Sequence, residues 1–158
     1  MQRKALTKKI EGFTLIELII VLVIIGLAAS VTFISIGIAH KKAIIRDASK
    51  KFYLSLRQAR VLSATRRIET AVIINPEGDS YSVVRVITVK APEGDKKSYE
   101  LIRKITLPEG ITLRGDDISF YPLGGSSGGL VYIEDTQGRT YQVKVKDVTG
   151  KIRLKRVR

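Results

Sequence analysis

The sequence contains no cysteine and no tryptophan, and it has a single histidine, His40. Without cysteine the chain can form neither disulfide bonds nor thiolate sites. His40 has no cysteine or clustered carboxylate near it in sequence, so we interpret it as an interface residue rather than a metal ligand. The adjacent carboxylates Asp116 and Asp117 point to opposite faces of an extended chain, which favours a role in a turn. We therefore predict no catalytic residue, no cofactor and no metal, and the chain is not expected to be an enzyme.

Proline is absent before Pro76, and no glycine occurs between Gly37 and Pro76. Over most of this stretch apolar residues recur every three or four positions, while lysines and arginines occupy the other faces. This pattern predicts an amphipathic helix. Together with the apolar run before it, the pattern predicts one helix from near Thr14 to about Thr65. The predicted apolar stripe consists of Ile45, Ala48, Phe52, Leu56, Ala59 and Ser63.

The longest apolar run extends from Phe13 to Ala39 and is interrupted only by small polar residues and two glycines. It is long enough for a helix to cross a bilayer, which needs about 20 apolar residues. Glu17 lies near the start of the run. A carboxylate in lipid costs roughly 2.5–3.5 kcal/mol on insertion scales, so it requires a partner or a function. A cleaved secretory signal peptide and a plain membrane anchor are the two simpler interpretations of this segment.

A short basic leader ends in Gly12 and is followed by Phe13-Thr-Leu-Ile-Glu17 and the apolar run. This arrangement resembles the precursors of the type IV pilin and pseudopilin class. The resemblance implies that a prepilin peptidase cuts between Gly12 and Phe13 and methylates the new amine, giving N-methylphenylalanine. It also implies that Glu17 meets the terminal amine of a neighbouring subunit during filament assembly. The implied partners are the peptidase, other pilins or pseudopilins, and an inner-membrane assembly platform.

The second half of the sequence has the pattern of short β-strands. Runs rich in β-branched and aromatic residues alternate with Gly, Pro, Asn and Asp turn signals. The expected class is α+β: a pilin-like fold in which one long N-terminal helix, transmembrane in its first half and amphipathic in its second, packs on an antiparallel β-sheet. The predicted strands are 70–75, 81–89, 99–107, 111–113, 118–121, 130–134, 139–146 and 151–155. The predicted segments are a cleaved leader (1–12), a transmembrane helix (13–39), an amphipathic helix (40–66) and a β-rich periplasmic domain (67–158).

The motifs of this half resemble the GspH/FimT branch of minor pseudopilins and minor pilins. They are 118–122 with the glycines of 124–129, the Gly138–Tyr141 turn, and Thr149–Ile152. Residues 124–129 lack the Lys-Ser/Thr of a phosphate loop and are expected to form a flexible connection. The resemblance implies a minor pseudopilin in the pseudopilus of a type II secretion system, acting in assembly and protein secretion. The alternative is a FimT-like type IV minor pilin that takes up DNA. A membrane-tethered protein without a filament is the third hypothesis. In the first two, the protein sits in the bacterial inner membrane by one span, with its C-terminal domain in the periplasm.

Lysine and arginine outnumber aspartate and glutamate by 28 to 15, giving a formal net charge of +13. Such a charge suggests an anionic partner, either nucleic acid, a lipid surface or an acidic protein. Near the C-terminus charged and apolar residues alternate, and a hairpin there would place Lys146 opposite Lys151 and Lys144 opposite Arg153. The simpler interpretation is a solvated face. In FimT-type pilins that bind DNA, a Gly-Arg-x-Arg motif recurs near the C-terminus, and it stands here as Gly150-Lys-Ile-Arg153. The candidate nucleic-acid-binding residues are Lys144, Lys146, Lys151, Arg153, Lys155, Arg156 and Arg158.

Overall fold

The computed structural model describes residues 12–91 and 94–157, and it describes the side chains of 12–30, 40–89 and 96–157. These residues form one helix followed by eight strands. The chain divides into two compact units, residues 1–40 and 41–158. The elements are α1 (Leu15–Arg66), β1 (Glu69–Ile74), β2 (Ser80–Ala91), β3 (Gly94–Thr106), β4 (Ile111–Gly115), β5 (Ile118–Phe120), β6 (Gly129–Asp135), β7 (Thr140–Val145) and β8 (Ile152–Arg156).

Helix α1 begins directly after Thr14, whose side-chain Oγ1 accepts a hydrogen bond from the backbone N–H of Glu17 at 3.3 Å. A threonine followed three residues later by glutamate is the sequence pattern of a helix capping box. The helix then continues for 52 residues, which confirms the predicted single helix. Among the residues whose side chains are described, no helical stretch is long and apolar enough to cross a membrane. The membrane span expected for 13–39 therefore stays a prediction.

The strands form two antiparallel sheets of four strands each, in the orders β3-β2-β1-β5 and β4-β6-β7-β8. All eight predicted strands are present. Strands β2 and β3 are longer than the sequence pattern indicated, since their pairing continues to Ala91 opposite Gly94. The ladder of backbone hydrogen bonds between the two strands extends the hairpin into a segment that we expected to be a loop. The predicted α+β class is confirmed.

The hydrophobic core lies between the second half of α1 and both sheets. All six residues of the predicted helix stripe, from Ile45 to Ser63, are buried. The ring of Phe52 packs edge-on against the ring of Tyr81 on β2, with centroids 4.9 Å apart. From the other sheet, Val131 and Val143 contribute fully buried side chains to the same cluster. Each such side chain contributes about 1.5–3 kcal/mol by its removal from water, so this cluster fixes both sheets on the helix.

The polar groups in this core have partners. The Ser55 hydroxyl on α1 lies 3.0 Å from the hydroxyl of Tyr81. The Thr70 hydroxyl donates to the backbone carbonyl of Ala59 at 3.0 Å. In the described residues no buried side-chain nitrogen or oxygen lacks a hydrogen-bond partner. The helix and the sheets are therefore joined by polar contacts as well as by apolar packing.

Candidate functional site

The N-terminal segment places the expected processing and assembly residues at the start of α1. Gly12 and Phe13 precede the helix, and Phe13 is 79% exposed. Among the described residues, no atom lies within 4 Å of a Cβ atom added to Gly12. Glu17 lies in the first helical turn, where the positive end of the helix dipole favours a carboxylate. The rest of the basic leader, 1–11, lies outside the described residues.

The C-terminal basic residues lie on the β7–β8 hairpin. Lys144 pairs directly with Arg153, and Gln142 pairs with Lys155. The N–H of Lys146 donates to the carbonyl oxygen of Lys151 at 3.0 Å, so these two residues also face each other. The opposed like charges expected from the sequence are therefore confirmed. Such pairs oppose strand association by roughly 0.2–1 kcal/mol each.

A tight turn fixes this register. The N–H of Gly150 donates to the carbonyl of Lys146 at 2.8 Å, and Gly150 has a φ of 58°. This left-handed conformation suits glycine because it has no Cβ atom. The guanidinium of Arg60 on α1 donates to the carbonyl of Thr149 at 3.0 Å. The turn is thus held against the helix, and the hairpin register follows from it.

Side chains on the hairpin alternate between the core and the opposite, solvent-facing side of the sheet. Val143 and Val145 are buried, whereas Lys144 and Lys146 are exposed. On β8, Ile152 and Leu154 pack against the core cluster. We call the solvent-facing side of sheet β4-β6-β7-β8 the basic face. Its exposed hairpin cations are Lys144, Lys146, Lys151, Arg153 and Lys155.

Arg156, one of the candidate nucleic-acid-binding residues, is exposed but does not extend this set. It belongs to β8 and pairs with Tyr141. Because successive side chains on a strand point to opposite faces, Arg156 shares its side with Leu154 rather than with Lys155. Backbone pairing continues one residue further, since the N–H of Val157 donates to Thr140 at 2.9 Å. Arg158 lies outside the described residues.

The basic face contains two residues that sequence reasoning missed, Arg114 on β4 and Tyr132 on β6. Arg114 pairs with Tyr132, Tyr132 pairs with Gln142, and Gln142 pairs with Lys155. These four residues form one continuous row across the sheet. Alternation within 111–115 and 129–135 places both missed residues on the solvent side. The row itself could not be read from the sequence because β5, between β4 and β6, joins the other sheet.

A hollow of about 430 Å³ lies at one end of the basic face. It is lined by Lys144 and Lys146, by the adjoining residues Val145 and Asp147, and by residues 127–129. The expected flexible connection at 124–129 is corrected by the structure at this point. The Ser126 hydroxyl, which is buried, donates to the carbonyl of Lys146 at 2.9 Å, and it accepts the N–H of Gly128 at 3.1 Å. These hydrogen bonds fix the segment to the end of β7.

Two adjacent acidic residues near this sheet, Asp116 and Asp117, accept backbone hydrogen bonds. Asp116 accepts the N–H of Leu130 at 2.9 Å, and Asp117 accepts the N–H of Ile74 at 2.8 Å. Both residues lie in the connection between β4 and β5, and these bonds join that connection to β6 and β1. Within the described ranges, no group of three or more His, Cys, Asp or Glu side chains is placed to hold a metal ion.

The carboxylate of Asp135 closes the β6–β7 turn. It accepts the N–H groups of Gln137 and Arg139, both at 2.9 Å. It also accepts Nε of Arg139 at 2.6 Å. Burial raises the pKa of Asp135, but the hydrogen bonds from Arg139 and Gln137 outweigh this effect and hold the pKa below its ordinary value of 3.8. The carboxylate is therefore committed to the turn.

The fold is thus a long helix packed on antiparallel sheets. A glycine lies before the helix, and a carboxylate lies in its first turn. Residues 7–33 match the family described as "Prokaryotic N-terminal methylation motif". No curated protein sequence matches the chain. Two solved structures with this fold are those of a minor pseudopilin and a type IV minor pilin.

The first is the minor pseudopilin EpsH from the type II secretion system of Vibrio cholerae. The match has a TM-score of 0.56 and 15% identity, and it covers 72% of this chain and 97% of that one. The second is the type IV minor pilin FimU of Pseudomonas aeruginosa, with a TM-score of 0.53, 15% identity, and coverage of 73% and 90%. The methylation motif and the shared fold confirm the resemblance to the type IV pilin and pseudopilin class.

Proposed function

We propose that this protein is a minor pseudopilin, a structural subunit of the periplasmic pseudopilus of a type II secretion system. The observation that carries the proposal is the position of Glu17. It lies in the first turn of α1, four residues after Phe13, within the matched methylation motif. Cleavage before Phe13 brings a free amine and a carboxylate to the same helix end. The subunit contributes interfaces to assembly and secretion rather than catalysis.

The apolar run 13–39 supports a single span of the inner membrane. In lipid a buried amine and a buried carboxylate are each costly alone, and pairing between two subunits offsets much of that cost. A minor pseudopilin, EpsH, is among the solved structures that share this fold, which is consistent with a role in a pseudopilus. The implied partners are a prepilin peptidase, other pseudopilins and the assembly platform of the inner membrane, with the β-rich unit in the periplasm.

Replacement of Glu17 tests this proposal. Glu17→Leu makes the run more apolar, so membrane insertion is retained while the proposed pairing is lost. We expect crosslinking to neighbouring subunits and secretion by the host cell to fall to background, with Glu17→Gln intermediate. Glu109→Leu, at an exposed turn position, is the matched control and leaves both unchanged. Normal incorporation and secretion with Glu17→Leu would refute the proposal.

A second candidate function is nucleic-acid binding, as in a FimT-like minor pilin that captures DNA for uptake. The specific observation in its favour is the pairing of Lys144 with Arg153 and of Lys146 with Lys151. Strand pairing would be more favourable without these repulsions. A polyanion that lies across the hairpin neutralises them and releases counterions, so its affinity falls steeply with salt.

Charge reversal separates this function from general basicity. Lys144→Glu combined with Arg153→Glu is expected to abolish binding of a DNA fragment to the full chain in non-ionic detergent. Lys50→Glu combined with Lys51→Glu, at two exposed positions on α1, changes the net charge equally and retains most binding. Absence of any binding at low salt would eliminate this candidate function.

A further inference from the structure

Tyr132 lies in the middle of the basic face rather than in the core. Its partly exposed side chain alternates with the fully buried Val131 and Ile133. Arg114 is its neighbour on one side, and Gln142 followed by Lys155 lies on the other. Adjacent strands are about 4.8 Å apart, so cations flank the aromatic ring at both ends of a row roughly 15 Å wide.

The next row along the sheet continues the charge. Leu130 pairs with Lys144, and Lys144 pairs with Arg153. These residues are two positions from those of the Tyr132 row, which is roughly 6.7 Å along a strand. Beyond them lies the 430 Å³ hollow between Lys144 and Lys146. An aromatic platform, a row of cations and a hollow therefore follow one another along a single surface.

Two glycines, Gly128 and Gly129, line part of the hollow. Gly128 and Gly129 both have positive φ, 70° and 146°. A Cβ atom on Gly128 would approach Asp147 to 3.1 Å, and one on Gly129 would approach Asp116 to 3.1 Å. A side chain at either position would therefore be strained and crowded. Lys144 and Lys146 line the hollow together with one carboxylate, Asp147, so its lining carries a net positive charge that favours a phosphate group.

We propose that the basic face binds single-stranded nucleic acid, with one base stacked on Tyr132 and the adjoining nucleotide in the hollow. Arg114, Lys144 and Arg153 contact the phosphates on either side of the stacked base. In a duplex the bases are already stacked on one another, so an aromatic side chain on a flat sheet has no free base to stack on. Every base has a π-face, so this stacking is expected to be tolerant of sequence. The inference rests on the second candidate function and names its ligand.

The test compares a labelled 12-nucleotide thymidine strand with a 12-base-pair duplex, using the full chain in non-ionic detergent and fluorescence anisotropy at low salt. The single strand is expected to bind more tightly than the duplex. Tyr132→Leu should weaken single-strand binding on the order of ten-fold, since stacking contributes about 1–3 kcal/mol per base and 1.4 kcal/mol is a factor of ten. Tyr132→Phe should retain the affinity because it keeps the ring. Tyr99→Leu is the matched control, because Tyr99 is 55% exposed but lies on β3 in the other sheet.

The outcomes are distinguishable. If neither nucleic acid binds at low salt, both the second candidate function and this inference fail. If both nucleic acids bind and Tyr132→Leu matches the parent protein, DNA binding stands and this inference is overturned. Arg114→Gln is a second test that still applies if Tyr132→Leu does not fold. Arg114 is exposed, so its replacement should not disturb folding. It should weaken single-strand binding several-fold and lower the dependence on salt by about one counterion; an unchanged salt dependence would also overturn the inference.

Discussion

Lys144 and Arg153 lie directly opposite each other on β7 and β8, with both side chains exposed. The pairing of two cations at adjacent strand positions is unfavourable for folding. We therefore expect Lys144→Glu to stabilise the protein, since it converts a repulsion into an attraction. A gain of several tenths of a kcal/mol corresponds to roughly a 2 °C rise in the melting temperature. The same variant should bind nucleic acid less tightly.

The two effects of Lys144→Glu have opposite signs, so a folding defect cannot explain the loss of binding. Lys104→Glu is the control, because Lys104 pairs with the neutral Ser82 and is attracted to Asp79. Its replacement relieves no repulsion and should not raise the melting temperature. Scanning calorimetry at low and high salt measures the effect, and the difference should shrink at high salt as the charges are screened. A lower melting temperature for Lys144→Glu would contradict the proposed repulsion.

The Ser55–Tyr81 hydrogen bond predicts that Ser55→Ala and Tyr81→Phe destabilise the protein by different amounts. Ser55→Ala leaves the buried phenol of Tyr81 without its partner and should destabilise the protein by about 1–3 kcal/mol. Tyr81→Phe should cost less, since the Ser55 hydroxyl can turn to a carbonyl of its own helix. Urea denaturation measures both values. Equal costs for the two variants would mean that the hydroxyl pair is not the source of the effect.

Tyr81 also predicts a change of stability at alkaline pH. Burial raises the pKa of Tyr81 above its usual value of 10.0, although the hydrogen bond with Ser55 acts in the opposite direction. The folded state therefore holds this proton more tightly than the unfolded state does. The resulting stability is complete below pH 10 and is lost as the pH rises through the folded pKa. Above pH 10 the free energy of unfolding should fall less steeply for Tyr81→Phe than for the parent protein.

Asp135 predicts a loss of folding stability at acid pH. Its pKa is below 3.8 in the folded state because the hydrogen bonds from Arg139 and Gln137 outweigh desolvation. Its contribution is present above the unfolded pKa, near 3.8, and is lost as the pH falls through the lower folded value. Asp135→Ala should cost on the order of 1–2 kcal/mol at neutral pH. The difference in the free energy of unfolding between this variant and the parent protein should become smaller below about pH 4. A difference that stays constant down to pH 2 would contradict this role.

Thr14 allows the helix cap to be separated from the proposed assembly role of Glu17. Thr14→Ala removes the oxygen that accepts the Glu17 N–H and should destabilise the first turn by about 1 kcal/mol. Thr14→Ser keeps the acceptor and is the control. Hydrogen exchange of the first-turn amides should be faster in Thr14→Ala alone. Because both variants keep the Glu17 carboxylate, both should still assemble; loss of assembly in Thr14→Ala would mean that the cap, not the carboxylate, is required.

Much of the fold follows from patterns that are local in sequence. The helix stripe from Ile45 to Ser63 was predictable because helical periodicity needs only neighbouring residues. The opposition of Lys144 and Arg153 was predictable because charged and apolar residues alternate on both strands, and a hairpin must place the two apolar sets on one face. The row that joins Arg114, Tyr132 and Lys155 depends on pairing between β4 and β6. Between β4 and β6 the chain forms β5, which belongs to the other sheet, so no local pattern predicts that these two strands pair.

The same limit applies to the segment 124–129. Its composition indicates flexibility, but the hydrogen bonds of Ser126 to the end of β7 depend on tertiary contacts. The position of Arg156 was mistaken for a similar reason. The predicted strand ended at Lys155, whereas backbone pairing with Tyr141 makes Arg156 part of β8.

Intact mass spectrometry of the protein purified from its native membrane decides whether residues 1–12 are a prepilin leader. We predict a chain that begins at Phe13 and carries one methyl group on its terminal nitrogen, with residues 1–12 removed. A chain that begins at Met1, or at Ala29 after cleavage of a secretory signal, would contradict this prediction.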